Sequence, residues 1–240
     1  MIKKKEDITA VILAGGMGAR LRGVIGDSQK VLAQVNGAPF ITYLLKQIAS
    51  FRIRKVVLCT GYKAETVKEE IGENIFGLEI SYSEEIEPLG TGGAIISALT
   101  KVSTEYLLIM NGDSFLDYNL NDLIKWYNDR FIPVGILLTQ VDNVSRFGLV
   151  TSDLYNRIIS FDEKGKSSGS GYINAGAYIM NKIMLKNRPV GVNCSLEKDV
   201  FPELISTQKL YGFKTSGKFI DIGTQESLLI AESFFNTSFL

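Results

Sequence analysis

The sequence contains no histidine, and this absence removes several common kinds of active site. Without histidine there is no Ser/His/Asp or Cys/His nucleophile pair, no histidine metal site and no side chain that normally titrates near neutral pH. Any chemistry must therefore rely on carboxylates, lysine, arginine, backbone amides and a bound metal ion.

Cysteine, net charge and long apolar runs are also scarce. Only Cys59 and Cys194 occur in 240 residues, far apart and in no metal-ligand spacing, so we expect a reducing, cytoplasmic location rather than a disulfide scaffold. The 26 basic and 26 acidic residues cancel, which leaves no broad cationic face for a nucleic acid polymer. No run approaches the roughly 18 apolar residues of a membrane span, so no membrane partner is expected.

Short β-branched apolar runs alternate with longer amphipathic runs, as in parallel strands joined by crossover helices. We predict strands at 10–13, 55–60, 79–82, 106–110 and 134–138, and helices at 39–51, 64–72, 92–101 and 120–128. Pro39 suits a first helical position and Asn119 suits an N-cap. After about residue 145 we predict paired strands at 147–151, 156–161 and 172–178, then helices at 196–205 and 225–235. The pattern indicates an α/β fold with a Rossmann-like first part and a mixed second part on the same sheet.

A glycine-rich loop follows the first predicted strand directly. It reads Leu13-Ala14-Gly15-Gly16-Met17-Gly18-Ala19-Arg20-Leu21. Glycines let backbone amides approach a phosphate, and the loop region sets three cations, Arg20, Arg22 and Lys30, against the single acid Asp27. The pattern favours a polyphosphate ligand, with a turn carrying solvated basic residues as the simpler alternative.

Two well-known phosphate-binding patterns do not fit. A dinucleotide fingerprint fails because Leu21 stands where its third glycine belongs, and a P-loop ending at Gly165-Lys166-Ser167 fails because Ser160 replaces its first glycine.

The glycine loop and the lysine after it resemble the signature of the sugar-1-phosphate nucleotidyltransferases. Six later segments match that family in order: 88–93 (PLGTGG), 111–113 (NGD), 146–148 (RFG), 161–164 (FDEK), 174–176 (NAG) and 219–223 (FIDIG). Within the family the chain most resembles the D-glycero-α-D-manno-heptose 1-phosphate guanylyltransferases. The resemblance implies a three-layer, mainly parallel sheet flanked by helices, of the nucleotide-diphospho-sugar transferase type. It implies one domain, 1–240, in which about 1–145 bind the nucleotide and about 146–240 the sugar phosphate.

The resemblance also implies roles for individual residues. Arg20 would hold the β- and γ-phosphates, Lys30 the α-phosphate, and Asp113 and Asp221 would bind Mg²⁺, with Asp113 counted among the catalytic residues. The nucleotide would contact Leu13, Ala14, Gly15, Gly16, Gly18, Glu85, Leu89, Gly90 and Thr91. The sugar phosphate would contact Gly148, Glu163, Lys164 and Asn174. For either aspartate taken alone, a cap or turn role is the alternative, and a Glu-Lys pair taken alone is most often a solvated turn.

Two positions depart from the family pattern. Ala19 replaces the usual threonine or serine and removes one hydroxyl hydrogen bond to phosphate, while Gln29 replaces the usual proline before Lys30. Neither change removes a charge. We therefore expect an enzyme with looser positioning of Lys30 rather than an inactive protein.

Glu85 occupies the place where thymidylyl and uridylyl relatives tend to have glutamine. A carboxylate offers only acceptors, and guanine presents adjacent N–H donors, so this position favours GTP. A surface glutamate within the acidic run 84–87 is the alternative.

The expected function is transfer of a nucleoside monophosphate, GMP favoured, to a sugar 1-phosphate, D-glycero-α-D-manno-heptose 1-phosphate favoured, with release of pyrophosphate. Mannose 1-phosphate, other hexose 1-phosphates and uridylyl, thymidylyl or cytidylyl transfer remain alternatives. A non-catalytic nucleotide-sugar sensor is an alternative of another class. A glycosyltransferase is less favoured because the Asp113 to Asp117 spacing is not its Asp-x-Asp motif. The apolar segment 228–239 either packs on its own domain or forms a homodimer.

Overall fold

The computed structural model describes residues 1–16, 18, 21, 23, 26, 28–162 and 164–236. Its strands are β1 (Ile8–Leu13), β2 (Gln34–Val35), β3 (Ala38–Pro39), β4 (Lys55–Thr60), β5 (Asn74–Ile75), β6 (Leu78–Glu84), β7 (Tyr106–Asn111), β8 (Ser114–Leu116), β9 (Val134–Val141), β10 (Val150–Ser152), β11 (Ile158–Phe161), β12 (Gly171–Asn181), β13 (Leu210–Thr215) and β14 (Phe219–Asp221). Its α-helices are α1 (Phe40–Ser50), α2 (Ala64–Ile71), α3 (Gly90–Ala98), α4 (Leu120–Asp129), α5 (Phe201–Ser206) and α6 (Gln225–Asn236).

The centre of the fold is an eight-stranded sheet in the order β13-β9-β12-β7-β1-β4-β6-β5. Strand β1 runs parallel to both β4 and β7, and β4 runs parallel to β6. Strand β12 is antiparallel to β7 and β9, β13 is parallel to β9, and β5 is antiparallel to β6. Only β12 and β5 of this sheet therefore run against the common direction, which confirms the predicted mixed, mainly parallel sheet.

Both faces of the sheet are buried, so its central strands are apolar on both sides. Successive residues of β1 alternate between two clusters, with Ala10 and Ile12 in one and Val11 in the other. Helices α1, α2, α4 and α6 pack in the first cluster, and α3 and α5 pack in the second. The chain therefore forms the three layers that the sequence predicts.

Most elements of the first half lie where the sequence predicts them. Strand β4 has the predicted bounds, and the Asn119 side chain caps α4 by accepting hydrogen bonds from the N–H groups of Asn121 and Asp122. Pro39 lies one residue before α1 rather than within it, because it pairs in the short β2–β3 hairpin. Helix α3 begins at Gly90, and its predicted last turn, Leu99–Lys101, is a 3₁₀ turn.

The second half differs more from the prediction. The strand predicted at 147–151 begins only at Val150, because Val144–Arg146 forms a 3₁₀ turn before it. Asn156, predicted in a strand, has a φ of 64° and belongs to a turn. The helix predicted at 196–205 is a π-helical turn, Leu196–Val200, followed by α5. The short or edge strands β8, β13 and β14 were not predicted, because their apolar runs are brief.

Helix α6 packs on its own domain. The Phe235 ring stacks on Tyr43 with centroids 3.9 Å apart and meets Phe115 edge-on at 5.1 Å. Leu229 and Ile230, on the same helix, are exposed, and a homodimer through them stays a prediction. No helix among the described residues has the length and apolar character to cross a membrane.

If α6 is part of the core, Phe235→Ala removes an aromatic ring from a packed cluster and lowers the free energy of unfolding by roughly 3–5 kcal/mol. Leu229→Ala, at a side chain that is 63% exposed, is the control on the same helix and should change stability by less than about 0.5 kcal/mol. Urea unfolding of the two variants measures the difference. Equal, small effects would mean that α6 is not packed on the domain.

Candidate active site

The parallel strands end at a cavity of about 530 Å³. Open α/β sheets bind ligands at this edge because the carboxyl ends of adjacent strands leave a crevice there. The cavity is lined by residues that follow or end β1, β4, β6 and β7: Leu13, Gly15, Gly16, Gly61, Tyr62, Glu85, Ile86, Pro88, Asn111 and Asp113. Lys30, Val31, Gly90, Thr91 and Ala94 complete the wall.

Lys30 and Asp113 form the tightest ion pair at this cavity. The Lys30 Nζ lies 2.5 Å from Asp113 Oδ2, and the lysine side chain is only 15% exposed. Gly112, just before the aspartate, donates its N–H to Leu13 C=O, and a Cβ at Gly112 would stand 2.5 Å from that same oxygen. The glycine thus lets the Asp113 turn lie against the end of β1. Two of the predicted catalytic residues are therefore in contact.

Asp221 comes from the far end of the chain and reaches Asp113 through a short antiparallel ladder. Strand β14 pairs with β8 so that Asp221 faces Ser114, the residue after Asp113. The Ile222 N–H also donates to Asp113 C=O at 2.9 Å. Backbone hydrogen bonds therefore bring together the two carboxylates that the sequence proposes as metal ligands.

The electrostatics of the pair fit a hard divalent cation. Burial raises the pKa of the Asp221 carboxyl above its ordinary value, and the charge of Asp113 raises it further, while Lys30, the Gly223 N–H and Arg146 act in the opposite direction. Mg²⁺ prefers oxygen ligands. Its positive charge would also relieve the repulsion between the two carboxylates. The described residues contain no cluster of three or more Asp, Glu, Cys or His side chains suited to a metal. Water and substrate oxygens would therefore complete the coordination shell.

Glu85 lines the cavity, but one of its oxygens is already used. The Leu89 N–H donates to Glu85 Oε2 at 2.7 Å. Burial raises the pKa of the Glu85 carboxyl, and the Leu89 hydrogen bond lowers it in part. The other oxygen, Oε1, would lie 3.6 Å from a Cβ built on Gly15, so it borders the glycine loop. Glu85 is therefore a fixed acceptor in the wall.

The glycines and the threonine of the 88–93 segment make contacts within the protein itself. Gly92 and Gly93 N–H both donate to Cys194 C=O, and a Cβ at Gly90 would stand 2.6 Å from that oxygen. The Thr91 hydroxyl donates to Glu197 and accepts from the Leu196 N–H. Gly90 and Thr91 line the cavity, although Gly90 and the Thr91 hydroxyl also serve contacts within the protein. Their contact with the nucleotide stays a prediction. Ala14 and Leu89 are not among the residues that line the cavity.

Of the predicted sugar-phosphate residues that the structure describes, Gly148 and Lys164 lie in two loops that touch each other, and Asn174 lies within β12. Gly148, with a φ of 88°, follows the Val144–Arg146 turn. The Gly165 N–H, next to exposed Lys164, donates to Ser145 C=O at 2.9 Å. The Asn174 amide makes two internal hydrogen bonds: Nδ2 donates to Tyr178 Oη and Oδ1 accepts from the Gly176 N–H. An amide has a further N–H and a further lone pair, so the predicted sugar contact of Asn174 stays a prediction.

Arg20 and Glu163, with Ala19, lie outside the described residues, so their predicted roles stay predictions. Gly18 is described but does not line the cavity. Sequence reasoning gave no role to Asn111, which lines the cavity, or to Arg146, whose Nη2 lies 3.4 Å from Asp221 Oδ1. Both stand inside the quoted segments 111–113 and 146–148, so their position in those segments was the available signal.

Gln29 replaces the expected proline without changing the backbone. Its φ of −64° and ψ of 138° are values that a proline adopts. The backbone at Gln29 therefore matches the one that proline would impose, and the looser positioning of Lys30 stays a prediction. The side chain is fully buried, and neither its Oε1 nor its Nε2 has a hydrogen-bond partner among the described residues.

An open, mainly parallel sheet with a glycine loop and paired carboxylates at its carboxyl edge defines the class of nucleotide-binding α/β proteins. A family model described as nucleotidyl transferase matches residues 9–238. The chain therefore belongs to the nucleotidyl transferase family, which confirms the resemblance drawn from the motifs.

Individual relatives are consistent with this assignment. A D-glycero-α-D-manno-heptose 1-phosphate guanylyltransferase of Aneurinibacillus thermoaerophilus is 36% identical over 89% of this chain and 92% of its own length. A mannose-1-phosphate guanylyltransferase of Mycobacterium tuberculosis is 33% identical over 93% of this chain and 63% of its own length. The crystal structure of HddC from Yersinia pseudotuberculosis complexed with GMP-PN superposes with a TM-score of 0.83, at 31% identity, over 95% of this chain and 99% of that one.

Gln29 gives a stability test at the site. Gln29→Met removes two buried polar atoms that have no partner in the part of the chain that the structure describes, at similar volume, and should raise the free energy of unfolding by about 1–3 kcal/mol. Gln47→Met is the comparison. Buried Gln47 also has an Oε1 without a partner among the described residues, but its Nε2–H donates to Leu116 C=O at 2.7 Å, so the protein should lose stability when it is replaced. Urea unfolding compares the two. A destabilised Gln29→Met protein would contradict the absence of a partner.

Proposed function

We propose that this chain transfers GMP from GTP to a sugar 1-phosphate, with D-glycero-α-D-manno-heptose 1-phosphate as the favoured acceptor. An oxygen of the sugar phosphate attacks the α-phosphorus of GTP, the bond to the β-phosphate oxygen breaks, and pyrophosphate leaves. The single observation that carries the proposal is that Lys30, Asp113 and Asp221 come together at the carboxyl edge of the sheet.

The reaction needs positioning and charge neutralisation rather than proton transfer. The attacking phosphate oxygen is already an anion, so no general base is required, in keeping with a chain that lacks histidine. Both reactants are anionic, and catalysis of phosphoryl transfer depends largely on holding them in line and stabilising charge. Lys30 would stabilise charge on the α-phosphate, and Arg20, by its place in the loop motif, would hold the departing pyrophosphate.

Asp113 and Asp221 are the proposed ligands of Mg²⁺. When bound, the ion would supply a Lewis acid at the phosphate oxygens. The protein's contribution is to hold two partly buried carboxylates together, with Lys30 on Asp113 limiting their repulsion.

Selection of the base is proposed to depend on Glu85. The Leu89 N–H fixes Oε2, so the remaining lone pairs of the carboxylate are the acceptors that face the cavity. Guanine offers N–H donors on one edge, which such a carboxylate can bind. Uracil and thymine need a donor as well as an acceptor there.

The sugar is proposed from likeness to relatives. The heptose 1-phosphate enzyme covers most of this chain at 36% identity, and a mannose 1-phosphate enzyme matches at 33%. Gly148, Glu163, Lys164 and Asn174 are the proposed sugar-phosphate contacts, with Lys164 supplying a cation for the phosphate.

A matrix of GTP, ATP, UTP and dTTP against heptose, mannose, glucose and galactose 1-phosphates, read by pyrophosphate release, tests the function. We expect release only when both substrates and Mg²⁺ are present, with GTP and heptose 1-phosphate giving the highest kcat/KM. The Lys30→Met variant should lose activity by about 10²-fold or more. Tight binding of a GDP-sugar without turnover for any pair would instead indicate a sensor.

Glu85→Gln tests the choice of base. Glutamine can keep its carbonyl oxygen on the Leu89 N–H and turn its amide donors toward the cavity, so a guanine-facing acceptor becomes a donor. We expect the ratio of kcat/KM for GTP over UTP or dTTP to fall by at least about tenfold. Glu84→Gln, at an exposed neighbour, is the control and should keep the wild-type ratio. If the Glu85→Gln variant keeps the wild-type ratio, Glu85 does not select the base.

A further inference from the structure

Arg146 brings a positive charge to the site, and none of the proposed catalytic or binding roles uses it. It ends the Val144–Arg146 turn, and its Nη2 lies 3.4 Å from Asp221 Oδ1. The Arg146 side chain is 48% exposed, whereas that of Asp221 is only 22% exposed. The guanidinium is thus more exposed than the partly buried carboxylate with which it pairs.

Backbone and ring contacts connect the Arg146 turn to both sides of the site. Ser145 C=O accepts the Gly165 N–H, which ties the turn to the loop that carries Lys164. The Phe147 ring packs edge-on against Phe219 with centroids 5.5 Å apart, and Phe219 begins the strand that ends at Asp221. Arg146 is therefore held between the proposed sugar-phosphate loop and the proposed metal ligand.

The ion pair of Arg146 with Asp221 is loose. A distance of 3.4 Å exceeds the usual length of a charge-assisted hydrogen bond, whereas Lys30 and Asp113 are 2.5 Å apart. Half-exposed ion pairs contribute little to stability and are easily exchanged. A guanidinium also presents paired N–H donors that match two phosphate oxygens. Arg146 is therefore free to move to a phosphate at low cost.

We propose that Arg146 changes partner during the reaction. In the substrate-free protein it holds Asp221; once a divalent cation binds the two aspartates, it binds the phosphate of the sugar 1-phosphate. The reason is electrostatic: a cation at Asp221 repels the guanidinium, and the incoming phosphate supplies the negative charge that it loses. The second half of this inference rests on the proposed function.

The first test is Mn²⁺ binding to substrate-free protein, followed by electron paramagnetic resonance of the free ion. Arg146→Gln removes a competitor for Asp221 and should bind Mn²⁺ about threefold or more tightly than wild type at low salt. Arg157→Gln is the matched control, because Arg157 pairs with Asp153 at 2.7 Å away from the cavity, and its Mn²⁺ affinity should equal that of wild type. Unchanged or weaker binding in Arg146→Gln would show that Arg146 does not compete at Asp221 and would overturn the proposal.

The second test separates the two substrates. Arg146→Gln should raise KM for the sugar 1-phosphate by about 10–100-fold with KM for GTP within about twofold, since charge-assisted phosphate contacts have that strength. Arg146→Lys should recover part of the loss, and it replaces the glutamine variant if that one unfolds. An unchanged KM for the sugar 1-phosphate would refute the exchange. No turnover in wild type would contradict the proposed function, and the Mn²⁺ titration would then decide the role of Arg146 at Asp221.

Discussion

Asp113 and Asp221 are held side by side against their own repulsion, and the candidate site depends on that constraint. The cost appears in the raised pKa of the Asp221 carboxyl, which burial and the Asp113 charge both favour. Backbone hydrogen bonds supply the restraint, because β14 pairs with β8 and Ile222 N–H reaches Asp113 C=O. Gly176 packs over the same turn, where a Cβ would stand 2.6 Å from Ser114 Oγ. Rigid backbone contacts can thus keep a metal-ready geometry before any ligand arrives.

Sequence patterns predicted the part of the fold that depends on local signals. The β1, β4 and β7 runs are long, apolar and buried on both faces, so their strand character is visible without a partner. The Asn119 cap is a contact within one turn of chain, and it was predicted correctly. Strand β13 alternates buried and half-buried residues at the sheet edge, and β14 has only three residues. Such strands are specified by their neighbours, which a linear pattern does not contain.

The candidate site, like the fold, could be predicted from the sequence only in part. The family motifs led to Lys30, Asp113 and Asp221, and the structure brings these residues together. They did not indicate how each group is engaged within the protein. Leu89 N–H occupies one oxygen of Glu85, and Cys194 C=O receives the amides of Gly92 and Gly93. A glycine-rich motif can therefore mark close packing of two chain segments as well as close approach of a ligand, and only the tertiary contacts distinguish the two.

The zero net charge of the whole chain has a local counterpart at the candidate site. The carboxylates of Asp113 and Asp221 are matched by the cations of Lys30 and Arg146, so these four groups carry no net charge together. Two anionic substrates meeting at these four groups alone would find no net positive charge there to offset their repulsion. A divalent cation on the aspartates changes this balance, because it leaves the site with an excess of positive charge that the phosphates can neutralise. Under the proposed function, a metal ion and both substrates would therefore favour one another's binding, which is the condition for aligning two phosphates without a proton shuttle.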